Sequence, residues 1–171
     1  MVINNVPRLA CKTFCNELLE TSSEIKIEPL SKFPCIQDLK VDRTSLFKAM
    51  EDMHLWLDEN AKLNYKKVPM QYTVSECLMC GCCLEACANY KSNDIFKGAV
   101  AAVNALKILE QLQNKDHKNQ IKKDYKEKVF NECSNSLACE KVCPMNIPIN
   151  HVMSKMNRYS VWRVWQLISG R

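Results

Sequence analysis

Two cysteine runs constrain this chain more than any other feature: Cys77-Leu-Met-Cys80-Gly-Cys-Cys83-Leu-Glu-Ala-Cys87, and Cys133-Ser-Asn-Ser-Leu-Ala-Cys139-Glu-Lys-Val-Cys143-Pro144. The first has two-residue gaps followed by a three-residue gap. With that spacing three thiolates wrap an iron–sulfur cube while the fourth points away to a neighbouring cluster. The second run repeats it with Ser136 where its second cysteine would stand. The runs therefore exchange ligands. Cys77, Cys80 and Cys83 with remote Cys143 make a complete 4Fe-4S site, whereas Cys133 and Cys139 with remote Cys87 provide only three thiolates. A cube with no protein ligand at one corner readily loses that iron, so the second site reads as 3Fe-4S.

Composition narrows the setting. Eleven cysteines in 171 residues would suit a disulfide scaffold in a secreted chain, but Met1 to Pro7 lacks the basic flank and apolar stretch of a signal peptide. The thiols belong to a reducing, cytoplasmic compartment. No run approaches a membrane span, the best stretch, Gly98 to Leu109, being short and interrupted by Asn104 and Lys107. Basic residues cluster from Lys115 to Lys128 among interspersed acids, which reads as a solvated helical face. Without aromatics placed to stack bases, nucleic acid is not an expected partner.

Zinc is the bland alternative for Cys-x-x-Cys pairs. It needs neither a third cysteine at the next two-residue step nor a proline after the last ligand, so clusters are the better reading. Of the remaining thiols, Cys82 should point away from the cube as a buried, inert residue, and Cys15 and Cys35 are expected to pack as small apolar side chains. His54, His117 and His151 are too few and scattered for a histidine metal site and read as surface residues. No catalytic triad, carboxylate pair or phosphate loop stands out, so no residue is assigned a catalytic role.

The chain reads as mainly α. Residues 1–40 form a weak start, with short strands at Val2-Ile3 and Glu24 to Glu28 and a helical turn around Thr13 to Leu19. Apolar spacing then predicts a helix from Asp42 to about Asn60 through Leu46, Met50, Met53 and Leu57, and a loop leads through Lys66 to Met70 into the first run. Further helices are expected from Asp94 through Leu109, over Asn119 to Phe130, and from Ile149 to Ile168. In the last, Tyr159, Trp162 and Trp165 fall at three-residue steps beside Lys155, Arg158 and Arg163. That pattern fits either a core face or docking on a partner or membrane surface.

A complete 4Fe-4S run followed by one lacking its second cysteine resembles the iron–sulfur subunit of succinate dehydrogenase and fumarate reductase. Further matches are Glu28-Pro29-Leu30, Phe33-Pro34, Asp38-Leu39, Val41-Asp42-Arg43 and Phe96-Lys-Gly98. Cys133-Ser-Asn-Ser136 and Cys143-Pro-Met-Asn-Ile-Pro148 are most similar to the menaquinone-linked bacterial branch. The resemblance implies an alpha-helical ferredoxin domain over 41–171, preceded over 1–40 by a remnant of a β-grasp 2Fe-2S ferredoxin domain. It also implies an oxidoreductase subunit that carries electrons between an FAD-containing flavoprotein and quinone in a membrane anchor, lying peripherally on the inner face of the cytoplasmic membrane. Ala88 replaces the expected proline after Cys87. Ser92, Ser134 and Ser136 stand where the ubiquinone branch has its tryptophan, histidine and isoleucine, so quinone contacts do not carry over.

The stretch through Pro7-Arg8-Leu-Ala-Cys11 resembles the end of the family's 2Fe-2S domain, which makes Cys11 an orphan fourth ligand. On that reading the chain is a truncated form or one half of a split subunit. It would hold a 2Fe-2S cluster only if a separate N-terminal ferredoxin half supplied the other thiolates. The near alternative is the iron–sulfur subunit of a heterodisulfide-reductase-like or glycerol-phosphate dehydrogenase complex. Such a subunit would keep a cysteine at position 136 and would not need the ferredoxin remnant.

Overall fold

The computed structural model describes residues 1–20, 22–63, 66 and 68–162. At the N-terminus β1 (Val2–Ile3) pairs antiparallel with β2 (Val6–Pro7) on one side and β3 (Ile27–Glu28) on the other. Asn4 and Asn5, with φ of 47° and 64°, form the two-residue turn between β1 and β2. Positive φ at both central residues is what a tight right-twisted hairpin requires, and asparagine tolerates it better than other non-glycine residues. A 3-10 turn (Ala10–Lys12) and the short α1 (Cys15–Leu19) follow, of which only Leu18 is buried. A second hairpin, β4 (Cys35–Gln37) with β5 (Lys40–Val41), closes the segment.

Helix α2 (Thr44–Asp52) is shorter than its apolar spacing predicts. Leu46 and Met53 are fully buried as expected, but Leu57 is exposed. The helix stops because His54 takes a left-handed conformation, φ 56°, with its ring Nδ1 2.9 Å from Asp124 Oδ2. His117 Nε2 meets the His54 carbonyl at 2.8 Å, and Trp56 lies between the two imidazoles at 5.3 Å from each. Neither histidine is the plain surface residue that was expected; both tie the α2 exit to the opposite side of the fold. His151 is exposed.

The loop expected around Lys66 to Met70 gives way to α3 (Val68–Ser75), and the first cysteine run contains α4 (Cys82–Glu85). Helix α5 (Gly98–Leu109) begins later than the Asp94 start predicted for it. Asp94 Oδ1 accepts from the Ile95 amide at 2.7 Å and caps a turn only, because Gly98 has φ +72° and the Lys97 amide is held by the Lys128 carbonyl at 2.9 Å. Ten of the twelve α5 residues are buried. Small residues such as Ala101, Ala102 and Ala105 let neighbouring helices approach on every side.

Those neighbours are α2, α3, α4, α6 (Lys115–Tyr125) and α8 (Ile149–Ser160); the short α7 (Ala138–Lys141), in the second run, packs on α4 and α8. Asn114 Oδ1 caps α6 by accepting from the amides of Asp116 and His117 at 2.9 and 3.1 Å. Its lysine-rich face is solvated while Ile121 and Tyr125 are buried, and it continues as a wide turn over Lys126–Phe130. The part of the last predicted helix from 163 onward, including Arg163 and Trp165, lies outside the described residues. No helix among the described residues is long and apolar enough to cross a membrane.

One buried carboxylate joins three of these helices. Glu110, 7% exposed, accepts from Lys155 Nζ at 2.8 Å, Tyr159 Oη at 2.9 Å and Gln71 Nε2 at 2.8 Å. Burial pushes its pKa up, but the three hydrogen bonds and the Lys155 charge outweigh that and hold it below the ordinary glutamate value. A depressed folded value contributes stability that is complete above the unfolded glutamate range and is lost as pH falls through the folded value. Glu110→Ala should cost about 3 kcal/mol at neutral pH in urea unfolding. The gap to the parent protein should narrow as the pH is taken down through the acid range.

Candidate functional site

Each cysteine run is built around the same backbone device. In the first, Met79 and Gly81 have φ of 51° and 87°; at the matching offsets of the second, Asn135 and Leu137 have 57° and 59°. Left-handed residues two and four positions after the leading cysteine curl the chain so that amides face inward, an arrangement suited to anionic groups. The Asn135 amide donates to Cys133 Sγ at 3.4 Å, and the Met79 amide bonds the Cys77 sulfur in the same way. Sequence reading found the cysteines and missed these turn residues, although Gly81 was a visible signal.

The thiols gather in two small cavities. Cys77, Cys80 and Cys83 line the first together with Cys143 from the second run. Cys133 and Cys139 line the other together with Cys87 from the first run, and Ser136 lies in the same wall. Helix α5 separates them, giving Val100 and Val103 to the first cavity and Ala99 to the second. The rest of both walls is largely apolar, with Ile147 and Ile149 in one and Phe96 and Met153 in the other.

The electrostatics explain what such a set of thiols needs. Burial, followed by the nearness of Cys77 and Cys80, pushes the Cys83 thiol well up; Cys139 and Cys143 add to the effect. Burial also raises Cys77, and together with Cys87 and Cys133 it takes Cys139 to about 11. Thiolates crowded in an apolar cavity repel one another and require a positive core among them. Among the described residues no three His, Cys, Asp or Glu groups converge as a single-ion site. The donor set and cavity walls fit an iron–sulfur core.

The other cysteines divide. Cys82 is fully buried behind the first cavity, as expected. A hydrogen bond between its thiol and Cys80 lowers Cys80 and raises Cys82. Cys15 and Cys35 do not pack inside; both are exposed, Cys15 because α1 buries only Leu18 and Cys35 because β4 is exposed along its length. Cys11 is exposed on the 3-10 turn. Trp162 is 46% exposed and lines a cleft with Phe130, Cys133 and Met153.

The link segment clamps the first run from outside. Glu85 in α4 accepts from the Ser31 and Lys32 amides, both at 3.0 Å, and from Ser31 Oγ at 2.6 Å. Arg43 Nη1 donates to the Met79 carbonyl at 3.3 Å. Phe33 and Leu30 pack directly over Gly81, where an added Cβ would lie 3.1 Å from Phe33 Cε2. Gly81→Ala, strained in φ and short of space, should destabilise the protein by about 1–2 kcal/mol in denaturant unfolding. It should also reduce iron retained by the first site more than by the second.

Two family models match the chain: a 4Fe-4S dicluster domain over residues 73–147 and a 2Fe-2S iron–sulfur cluster binding domain over residues 1–48. A succinate dehydrogenase iron–sulfur subunit of Bacillus subtilis is 29% identical over 92% of the chain and 65% of its own length. A fumarate reductase iron–sulfur subunit of Wolinella succinogenes is 26% identical over 94% of the chain and 71% of its own, and one of Haemophilus influenzae is 30% identical over 86% and 64%. The chain thus spans about two thirds of the length of these curated relatives. A chain of the Mycobacterium smegmatis Sdh1 complex in the apo form superposes with a TM-score of 0.72 at 17% identity, covering 92% of this chain and 71% of that one. That likeness speaks to the fold.

Proposed function

We propose that this chain, a homologue of the iron–sulfur subunits of succinate dehydrogenase and fumarate reductase, is an electron-relay subunit working between a flavoprotein and quinone in a membrane anchor. The observation that carries the reading is the exchange of thiols: Cys143 stands in the cavity of the first run and Cys87 in that of the second. Iron–sulfur clusters supply one-electron chemistry when bound. Cys77, Cys80, Cys83 and Cys143 are assigned to a 4Fe-4S cluster, and Cys87, Cys133 and Cys139 to a 3Fe-4S cluster. The inward amides at Met79 and Asn135 orient and soften the thiolates, and the apolar walls exclude water.

Residues 41–171 are assigned to the alpha-helical ferredoxin domain. Residues 1–40 are assigned to the ferredoxin-like remnant and link, in which Cys11 is the candidate 2Fe-2S ligand; the family match to 1–48 supports this. Its proposed place is peripheral, on the inner face of the cytoplasmic membrane, as the likeness to these subunits implies. Trp162 is exposed and lines a cleft with Cys133, which supports a reading in which the second cavity faces the anchor.

EPR and Mössbauer spectra of anaerobically reconstituted protein test the assignment. Oxidised protein should show one three-iron signal beside an EPR-silent 4Fe-4S centre. Cys143→Ser, although in the second run, should impair the first centre, and Cys87→Ser the second; the opposite assignment of these losses, or zinc in place of iron and sulfide, would overturn the reading. Ser136→Cys should convert the second site to 4Fe-4S with a lower potential.

A further inference from the structure

The two cysteine runs share a left-handed curl but are not pinned alike. In the first, Cys80 follows soon after Cys77, and Arg43 Nη1 holds the Met79 carbonyl from outside. In the second, Ser136 stands in place of a thiol, so no cysteine lies between Cys133 and Cys139. Residues 133–137 belong to no helix or strand, and Ser134, Asn135 and Ser136 are all exposed. The Cys133 amide bonds the Phe130 carbonyl at 3.5 Å, and the Asn135 amide bonds the Cys133 sulfur at 3.4 Å. Both bonds are local and tie the loop to nothing across the cavity.

A side chain from the first run does so. Asn89, two residues beyond Cys87, donates through Nδ2 to the Glu132 carbonyl at 2.7 Å and accepts through Oδ1 from Ser134 Oγ at 3.3 Å. Glu132 and Ser134 are the two neighbours of Cys133, so one carboxamide grips the leading cysteine of the second run on both sides. Among the described residues these are the only hydrogen bonds that join 86–92 to 131–137. Asn89 is fixed from behind, because Tyr90 is 3% exposed and its ring lies 6.3 Å from that of Phe33. A packed anchor thus holds a loop that lacks one. Asparagine suits the place because an amide offers donors and an acceptor at once, and its orientation is set, since a backbone carbonyl can only accept.

We propose that Asn89 is the positioning residue of the second site, holding Cys133 in register with Cys87 where Ser136 supplies no ligand to do so. Both thiols line the second cavity. Hydrogen bonds at an exposed site contribute little to global stability, because water competes for the same groups. Their effect here is local: they narrow the range of Cys87 to Cys133 separations and keep the loop closed over the cavity. The consequence for a three-iron centre rests on the ligand assignment proposed above, whereas the grip of Asn89 on the loop does not.

Hydrogen–deuterium exchange of the anaerobically reconstituted full chain tests the grip, and EPR with a chelator challenge of the same samples tests its consequence. Asn89→Ala should speed exchange over 131–136 about tenfold, and Ser134→Ala, which removes one of the two bonds, about threefold. Exchange over 77–83 and the urea unfolding midpoint should stay at the parent values. Ser134→Thr keeps the hydroxyl and should restore the parent behaviour. Iron should leave the three-iron centre several-fold faster in Asn89→Ala, and that centre's EPR signal should broaden while the 4Fe-4S centre is unchanged. A parent sample with no three-iron signal overturns the ligand assignment, and exchange then decides the grip alone. Unchanged exchange over 131–136 in Asn89→Ala, or equal changes in both segments, overturns the proposal, as does unchanged iron release where the three-iron signal is present.

Discussion

Helix α5 has to be buried on every side while standing between two cavities full of thiols, and the rest of the fold follows from that demand. Buried side chains all round require small residues wherever another helix crosses, and Ala101, Ala102 and Ala105 meet it. Gly98 meets it at the N-terminal end, where an added Cβ would lie only 2.3 Å from Leu84 Cδ2 of α4. The close approach of α4 brings the first run against α5, and α8 brings the second run's exit against its other side. Val100 and Val103 wall one cavity from the same helix whose Ala99 walls the other. Two sites are thus held at a spacing set by the width of a single helix.

The grouping of the thiols was legible because each run is built locally and sends its last cysteine, Cys87 or Cys143, to the other cavity. The curl that shapes each run lies in a few residues around Gly81 and Asn135. Burial of Cys82 followed from its place beside Cys83. Elements that depend on distant partners were not legible. Helix α2 looked about five turns long because Leu57 keeps the apolar spacing, but the left-handed His54 that ends it is held by Asp124, seventy residues away. Helix α3 escaped notice because its inward residues include Gln71, whose burial makes sense only once Glu110 is placed opposite it. In α5 the apolar stripe held from Ala99 through Ala102 and Leu106 to Leu109 and failed at Ile95, which keeps the spacing but is exposed ahead of the helix; it was also too narrow, because periodicity marks one buried face and says nothing of a helix enclosed on all of them. The strands at 6–7, 35–37 and 40–41 are too short for any alternation to register.

The N-terminal segment is poor in core of its own, yet it is firmly engaged. Its polar contacts run to the cysteine-bearing loops: Glu85 to Ser31 and Lys32, Arg43 to Met79, and Lys12 to Pro144. Phe33 and Leu30 close over Gly81. A segment attached this way acts as a brace on the first run, so changes in it are transmitted to the thiols without any residue of it entering the cavity.

The exchange of Cys87 and Cys143 also has a temporal side. A chain leaves the ribosome from its N-terminus, so Cys77, Cys80 and Cys83 emerge long before the fourth thiol of their own cavity has been synthesised. Until residue 143 and the α8 residues that wall the cavity are available, the first run is an open set of three thiols with no enclosure. Neither site can be completed on a partial chain. Maturation on this arrangement is a single late event, and the interval before it is when these thiols are most open to oxidation or to capture of the wrong metal.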